Sequence, residues 1–307
     1  MKTKALVLLN MGAARSKEEI GTFLRNMFND KNILGISSDI LRSMIASLIV
    51  ILRHDKAWEN YEKIGGKSPL HELTNKLVAK LQEHLPQYFI TTAMRYTSQF
   101  SQTSIAKIKE QNIKNVVLLP LYPQYSTTTT KSSIDDFVEH SNNQFNITVC
   151  EPFYKNNLYN QTICNEIINI QNGKTNYHLI FSAHGLPQKI VDKGDPYQIQ
   201  VQQHVEILKD KLSKYPVSFK SISLAYQSKV GPMKWLTPSL DTALEDFKGK
   251  EIIIYPISFI IDNSETVFEL DIEYREIAKE LGIKEYKVCK CLNDNDTFVE
   301  VIKELIC

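Results

Sequence analysis

Short apolar runs rich in β-branched residues recur along the chain, and a longer stretch with helical periodicity separates each run from the next. Hydrophobicity within a run is continuous rather than alternating, as strands buried on both faces require, and intervening helices are typical of parallel strands. The pattern therefore predicts an α/β protein with parallel sheets. The predicted strands are Ala5–Leu9, Phe89–Met94, Val116–Leu121, Ile147–Cys150, Leu179–Ser182, Ser221–Ala225, Ile252–Ile257 and Tyr286–Cys289.

The predicted strands fall into two similar sets of four. Val117–Pro120 in the first half matches Ile252–Pro256 in the second, and each half has the length that a doubly wound unit needs. We therefore expect two similar Rossmann-like domains, residues 1–150 and 151–307, each with a four-stranded parallel sheet flanked by helices. In such a pair a ligand binds in the cleft that faces the carboxyl ends of the strands.

Composition narrows the class of function. The chain has 307 residues, of which 43% are hydrophobic and 23% charged, as is typical of a folded soluble protein. Its 36 Lys and Arg against 35 Asp and Glu leave a net charge of +1, without the basic excess that nucleic-acid binding needs. No apolar run approaches the about 20 residues of a membrane-spanning helix, and the first run stops at Asn10, too early for a signal peptide.

The cysteines and glycines carry no familiar cofactor motif. The five cysteines include no CxxC and no even framework, which indicates a reducing compartment and hence a cytoplasmic protein. GxGxxG follows none of the predicted strands, and Gly65-Gly66-Lys67-Ser68 lacks the first glycine of a P-loop, where Tyr61 stands. We therefore expect no nucleotide site.

Four polar segments directly follow predicted strands, at residues 9–12, 121–126, 181–187 and 257–266, and the last two carry candidate catalytic groups. His184 comes after Leu179–Ser182, and the bend at Gly185 would project its imidazole into the cleft as a base. A lone histidine is, however, more often structural, and position alone does not decide between the two.

The last of these segments is acidic. Asp262 and Glu265 have the spacing of a capping box, while Glu269 and Glu273 suit a solvated helix face. The functional alternative is that one of these carboxylates faces His184, where the pair could accept protons or bind a divalent metal transiently.

Six segments occur in a fixed order that is similar to one enzyme family. They are NMG, YEKIGGKSP, YPQYSTTT, SAHGLP, YQSKVGPMKWL and SETVFELDIEY. Over residues 4–295 they resemble ferrochelatase, the lyase-type metal chelatase that ends haem biosynthesis. The resemblance implies a porphyrin cleft between two Rossmann-like domains, and insertion of Fe(II) into protoporphyrin IX or coproporphyrin III with release of two protons.

The resemblance also implies roles for particular residues. It assigns both catalysis and contact with the metal to His184 and Glu265. The implied substrate-binding residues around the ring are Met11, Arg95, Tyr96, Tyr122, Trp235 and Phe259, and those that hold the propionates are Arg53, Lys56, Tyr61 and Ser68. Cations and hydroxyls suit carboxylates and an apolar slot suits the ring, although core packing would account for each aromatic residue.

The chain departs from the family pattern at Asn263, where a histidine is common. An amide does not titrate, so a proton relay from Glu265 through this position is in doubt. Two alternatives stay open: a non-catalytic haem or porphyrin carrier, and a cobalt chelatase of the cobalamin route. The NMG, YPQYS and QSKVGPM segments favour ferrochelatase over the cobalt enzyme.

The resemblance implies no permanently bound cofactor, because Fe(II) is a substrate. We expect no iron–sulfur cluster: Cys289 and Cys291 are spaced CxC at a predicted strand, and the chain ends at Cys307 without the CxxC of cluster-bearing relatives. The expected partners are the porphyrin and ferrous iron. A neighbouring haem-pathway enzyme and the membrane are further candidates.

One segment is too apolar for a solvated helix. Asp39–Arg53 is mostly apolar yet too short to span a bilayer. We expect a lip of the cleft that touches the inner face of the membrane, with Arg42, Arg53 and Lys56 near lipid head groups or porphyrin propionates. The alternative is a helix that covers the first sheet as core.

Overall fold

The chain folds into two compact units in the computed structural model, which describes residues 2–229, 231 and 233–306. The first unit comprises Met1–Tyr122, Ser126–Glu151 and Ile302–Cys307, and the second comprises Pro123–Tyr125 and Pro152–Val301. The main change of unit falls between Glu151 and Pro152. The chain also changes unit briefly at Pro123–Tyr125 and again at Ile302.

Each unit has a four-stranded parallel sheet in the part of the chain that the structure describes. The first sheet has the order β2-β1-β3-β4 and the second the order β6-β5-β7-β8. The prediction of two similar parallel sheets is confirmed, because the strand order of the first is repeated in the second. The strands are β1 (Lys4–Asn10), β2 (Tyr88–Met94), β3 (Asn115–Pro120), β4 (Asn146–Val149), β5 (Tyr177–His184), β6 (Ser221–Gln227), β7 (Glu251–Pro256) and β8 (Glu285–Val288).

Helices connect the strands. Before β4 they are α1 (Lys17–Phe28), α2 (Lys31–Leu34), α3 (Asp39–Glu62), α4 (Leu70–His84), α5 (Ser101–Glu110) and α6 (Ser132–Ser141). After β4 they are α7 (Asn157–Gln171), α8 (Gln188–Asp192), α9 (Tyr197–Leu212), α10 (Leu240–Leu244), α11 (Tyr274–Glu280) and α12 (Asp296–Leu305). Thr127–Lys131 and Glu265–Glu273 are π-helical, and Glu245–Phe247 is a 3₁₀ turn.

The central strands are mostly apolar because helices cover both of their faces. In β1 every residue from Ala5 to Asn10 is buried. Successive residues of a strand point to opposite faces, so Ala5, Val7 and Leu9 share one face, where they pack with Ile105 of α5 and Phe137 of α6. The strand order reverses between β1 and β3, and likewise between β5 and β7, where doubly wound sheets bind ligands.

The predicted placement of the CxC pair is wrong. β8 ends at Val288, so Cys289 and Cys291 lie beyond the strand, and both are buried. Burial raises the pKa of both thiols well above the ordinary value, which makes them poor thiolate donors. Cys307, which the sequence argument also used, lies outside the described residues.

Helix α3 presents an apolar face to solvent. Its exposed residues are Ile40, Leu41, Met44, Leu48, Ile51 and Leu52, whereas Ala46 and Val50 are buried. The prediction that Arg42 lies at the membrane surface is wrong, because this residue is buried. Its Nε and one amino group donate to the carbonyls of Asn29 and Ile36 at 2.6 and 2.7 Å. Within the described residues, no helix has the length and apolarity to cross a bilayer.

Candidate active site

His184 and Glu265 lie at neighbouring strand ends of the second sheet. His184 ends β5, and β7 runs beside it with Pro256 opposite Ser182. The chain leaves β7 and enters the π-helical segment at Glu265. Parallel neighbours end at the same edge of a sheet, and the two side chains meet there: Nδ1 of His184 is 2.7 Å from Oε2 of Glu265.

The imidazole of His184 is held by its surroundings. The hydroxyl of Tyr197 donates to the backbone carbonyl of His184 at 2.9 Å and lies 2.6 Å from Oγ of Ser258. Phe259 contacts the imidazole edge to face, at 6.4 Å between ring centres and 90° between planes. In the described part of the chain, Nε2 forms no hydrogen bond, and about a third of the side chain is exposed.

Glu269 is a third member of the site, and the sequence argument missed it by assigning it to a solvated face. Its carboxylate accepts hydrogen bonds from the backbone N–H of Ser228 at 2.7 Å and from Nε2 of Gln227 at 3.3 Å. Oγ of Ser228 lies 2.6 Å from Glu269 and 3.1 Å from Glu265. Glu269 follows Glu265 by four residues, about one helical turn, and this spacing was the feature of the sequence that could have indicated it.

Burial and mutual charge set the pKa values of these groups. Burial opposes protonation of His184, but the charge and hydrogen bond of Glu265 prevail and raise the imidazole pKa above its usual value. Burial likewise opposes ionisation of Glu265, yet His184 holds its pKa below the usual range. Burial and the charge of Glu265 raise the pKa of Glu269 to about 7. Glu269 can therefore take up or release a proton near neutral pH.

The capping-box interpretation of Asp262 and Glu265 is wrong. The carboxylate of Glu265 binds His184, while the backbone N–H of Asp262 donates to Asn293 at 2.8 Å. Asp262 is buried and accepts from the hydroxyl of Thr266 at 2.9 Å. Its role is to hold the turn that precedes the helix.

Trp235 lies next to the chain that follows His184. A side chain at Gly185 would come within 2.7 Å of the carbonyl oxygen of Gln227 and 3.3 Å of the indole of Trp235. Only glycine therefore allows this close approach. The second unit thus brings together four predicted site residues: His184, Glu265, Phe259 and Trp235.

In the first unit, the predicted site residue Arg95 is held by partners within that unit. Nε of Arg95 donates to Ser132 at 2.9 Å, and its two amino groups lie 3.1 Å from Asp136 and 3.2 Å from Asp30. Asp30 also accepts from the hydroxyl of Tyr96 at 2.8 Å. The two carboxylates thus balance the positive charge of Arg95, and Tyr96 is fully buried beside it.

The remaining residues predicted in the first unit differ in exposure. Tyr61, Ser68 and Tyr122 are buried. Met11 is half-buried just after β1, and Arg53 and Lys56 are exposed on α3. Of these six residues, Met11, Arg53 and Lys56 have surface available to a ligand.

The site offers two carboxylates and one imidazole: Glu265 contacts His184 directly, and the hydroxyl of Ser228 connects Glu265 with Glu269. These are oxygen and nitrogen donors that a divalent metal accepts. Among residues 2–229, 231 and 233–306, no group of three or more His, Cys, Asp or Glu side chains has an arrangement that could hold a metal ion.

A solved structure shares the fold. SirB from Bacillus subtilis with Fe³⁺ superposes with a TM-score of 0.59 at 10% identity, over 99% of this chain and 94% of that one. At this identity the likeness concerns the fold alone.

Sequence comparison identifies the family. Proteins named ferrochelatase from Nitratiruptor sp., Sulfurimonas denitrificans and Wolinella succinogenes are 50%, 48% and 46% identical, over 98%, 99% and 99% of this chain and 98% of each relative. The sequence model of the family described as Ferrochelatase matches residues 3–307. The chain therefore belongs to the ferrochelatase family.

Proposed function

We propose that His184, Glu265 and Glu269 carry out the insertion of Fe(II) into a porphyrin, the activity of the family. The observation that supports this assignment is the 2.7 Å contact between His184 and Glu265 at the end of β5. Insertion requires two pyrrole protons to leave as the metal enters. The site has groups suited to receive both.

His184 is the first proton acceptor in this proposal. In the neutral imidazole, Nδ1–H donates to Glu265, which leaves the lone pair of Nε2 for a pyrrole proton. The carboxylate stabilises the imidazolium that forms, because an opposite charge within hydrogen-bond distance favours the charged form. The raised pKa makes the neutral imidazole a stronger base.

Glu269 is the second proton acceptor. The hydroxyl of Ser228 lies between the two glutamates, 3.1 Å from Glu265 and 2.6 Å from Glu269. In this proposal the second pyrrole proton passes first to the carboxylate of Glu265. A hydroxyl can accept one proton while it donates another, so Ser228 then passes a proton on to Glu269. With a pKa of about 7, Glu269 can hold that proton and release it near neutral pH.

Iron enters this reaction as a substrate. Glu265 and His184 are the proposed contacts of the incoming ion. The ligand preferences of Fe(II) allow both a carboxylate and an imidazole, and neither residue is locked in a closed ligand set.

Porphyrin contacts are proposed for the accessible members of the predicted set. Phe259, Trp235 and Met11 suit the apolar ring, and Arg53 and Lys56 suit the propionates. The buried residues Tyr61, Ser68, Tyr96 and Tyr122, with the neutralised Arg95, shape the first unit and position its surface.

The exposed face of α3 supports a peripheral contact with the membrane. Six large apolar side chains are exposed on this one helix. Single exposed apolar residues are ordinary on protein surfaces, but a group of this size is typical of an interaction site. Free thiols at Cys150, Cys164, Cys289 and Cys291 favour a reducing compartment. We therefore place the protein in the cytoplasm, at the inner face of the membrane.

The absence of an iron–sulfur cluster belongs to the same proposal. The support is that Cys289 and Cys291 are buried with raised thiol pKa values. Iron and sulfide analysis of protein purified without oxygen should find no stoichiometric sulfide. Two irons and two sulfides per chain would contradict this.

An anaerobic insertion assay tests the function. The wild type should insert Fe(II) into protoporphyrin IX or into coproporphyrin III and form the metalloporphyrin. His184→Ala should fold normally, but its rate of insertion should fall about a hundredfold or more. His178→Ala, at the other end of β5, is the matched control. Porphyrin binding without insertion would favour the carrier alternative, and Co(II) insertion into a cobalamin precursor alone would favour the cobalt chelatase.

A further inference from the structure

The side chain of Asn263 contacts the backbone of Glu265. Its Oδ1 accepts a hydrogen bond from the N–H of Glu265 at 2.7 Å, and its Nδ2 donates to the carbonyl of Ile261 at 3.2 Å. Both polar ends of a buried amide are thereby used. The side-chain amide is therefore oriented by the backbone of Ile261 and of Glu265.

The backbone of Asn263 begins the helix that carries the two glutamates. Its carbonyl accepts from the N–H groups of Thr266 and Val267 at 3.2 and 3.0 Å. Its own N–H donates to Oγ1 of Thr266 at 3.0 Å. Ser264 already has helical backbone angles, φ −58° and ψ −30°. Asn263, whose carbonyl accepts the first helical hydrogen bonds and whose side chain accepts from the N–H of Glu265, is therefore the N-cap.

We infer that Asn263 is a positioning residue: as a neutral N-cap it fixes the backbone of Glu265 so that the carboxylate meets Nδ1 of His184. The cap directs the first turn of the helix, and the direction of that turn decides where the side chain of Glu265 points. The inference deepens the proposed function, on which its effect on turnover rests.

The amide is suited to this position because it carries no charge. A carboxylate at position 263 would cap the helix equally well but would place a negative charge two residues from the carboxylate of Glu265, and like charges repel. The amide of Asn263 accepts from the same N–H without that charge.

The test compares three variants with the wild type. Asn263→Ala removes the cap, and Asn263→Ser keeps a neutral oxygen acceptor. Asn156→Ala is the matched control, because Asn156 caps α7 in the same unit through a 2.8 Å bond from the N–H of Tyr159. The readouts are the NMR titration of the His184 imidazole in protein without porphyrin or iron, the melting temperature, and kcat and KM for iron insertion.

Asn263→Ala should lower the titration midpoint of His184 toward its ordinary value, since Glu265 is no longer held against Nδ1. It should lower kcat about tenfold or more with KM for porphyrin nearly unchanged. Asn263→Ser should restore most of both values. Asn156→Ala should lower the melting temperature by a similar amount with the titration and kcat unchanged.

Two results would overturn the inference. One is a folded Asn263→Ala protein with the wild-type titration of His184, and the other is an equal loss of kcat in Asn156→Ala. The titration needs neither substrate, so a wild type that fails to insert iron would refute the proposed function without deciding this test.

Discussion

The imidazole of His184 and the carboxylate of Glu265 form a hydrogen-bonded pair, 2.7 Å apart, although 81 positions separate them in the chain. The parallel pairing of β5 with β7 brings them together, since both strands end at the same edge of the sheet. The pair therefore depends on the sheet for its placement and on the segment after β7 for its orientation.

Glu265→Gln should reduce turnover strongly and leave porphyrin binding mostly intact. The amide cannot stabilise the imidazolium, so the pKa of His184 falls. In the wild type the base is active when deprotonated, and its raised pKa places the acid limb of the rate profile above pH 6.5. In the variant the limb should move to lower pH. Rates measured against pH without oxygen, with porphyrin binding followed by fluorescence, test this. Loss of binding with unchanged turnover of bound porphyrin would contradict it.

Ser228→Ala should slow turnover about tenfold with little change in KM. The hydroxyl between Glu265 and Glu269 is lost, so the second proton has no direct route from one carboxylate to the other. Ser239→Ala is the matched control, because its hydroxyl contacts Thr242 at the start of α10. Equal rates in the two variants would exclude the relay.

Glu269→Gln should stabilise the protein at alkaline pH. The folded pKa of about 7 lies above the ordinary 4.5, so folding favours the protonated form, and this stability is lost as pH rises through 7. At pH 8 the variant should unfold at a higher urea concentration than the wild type, and its free energy of unfolding should be larger by about 3 kcal/mol at most. At pH 4 the two proteins should have the same stability. Glu273→Gln is the control, because Glu273 is exposed on the same helix. An equal effect at both pH values would contradict the raised pKa.

Met44→Ser combined with Leu48→Ser should weaken binding to vesicles of phosphatidylglycerol and phosphatidylethanolamine, with little change in melting temperature. Both side chains are more than half exposed on α3, so they contribute little to the core. Ile45 and Ile49 on the same helix are half-buried, and serine there should lower the melting temperature more. Unchanged sedimentation with vesicles would show that this face does not contact the membrane.

The eight strands could be predicted because burial on both faces leaves a local signature, a continuous apolar run. The ends of a strand are less well marked. The run that includes Tyr286 suggests a strand through Cys289, but pairing with β7 stops at Val288. Register is set by the neighbouring strand, which the local pattern does not contain.

The position of His184 after a predicted strand, together with the family resemblance, was sufficient to select it and Glu265 from the sequence. Glu269 was not selected, because an acidic residue on a helix is typical of a solvated face. Its environment is made by Gln227 and Ser228 at the end of β6, residues about forty positions away.

The sequence by itself determined the α/β class, the two repeated sheets and the positions of polar residues at strand ends, because each leaves a pattern within a few consecutive residues. The tertiary structure decided which polar groups meet and what charge they carry. Those properties depend on contacts between distant segments: Glu265 against His184, Ser228 against Glu269, and the amide of Asn263 at the start of their helix. A pKa responds to the burial and charges around a group, and only the folded chain brings these together.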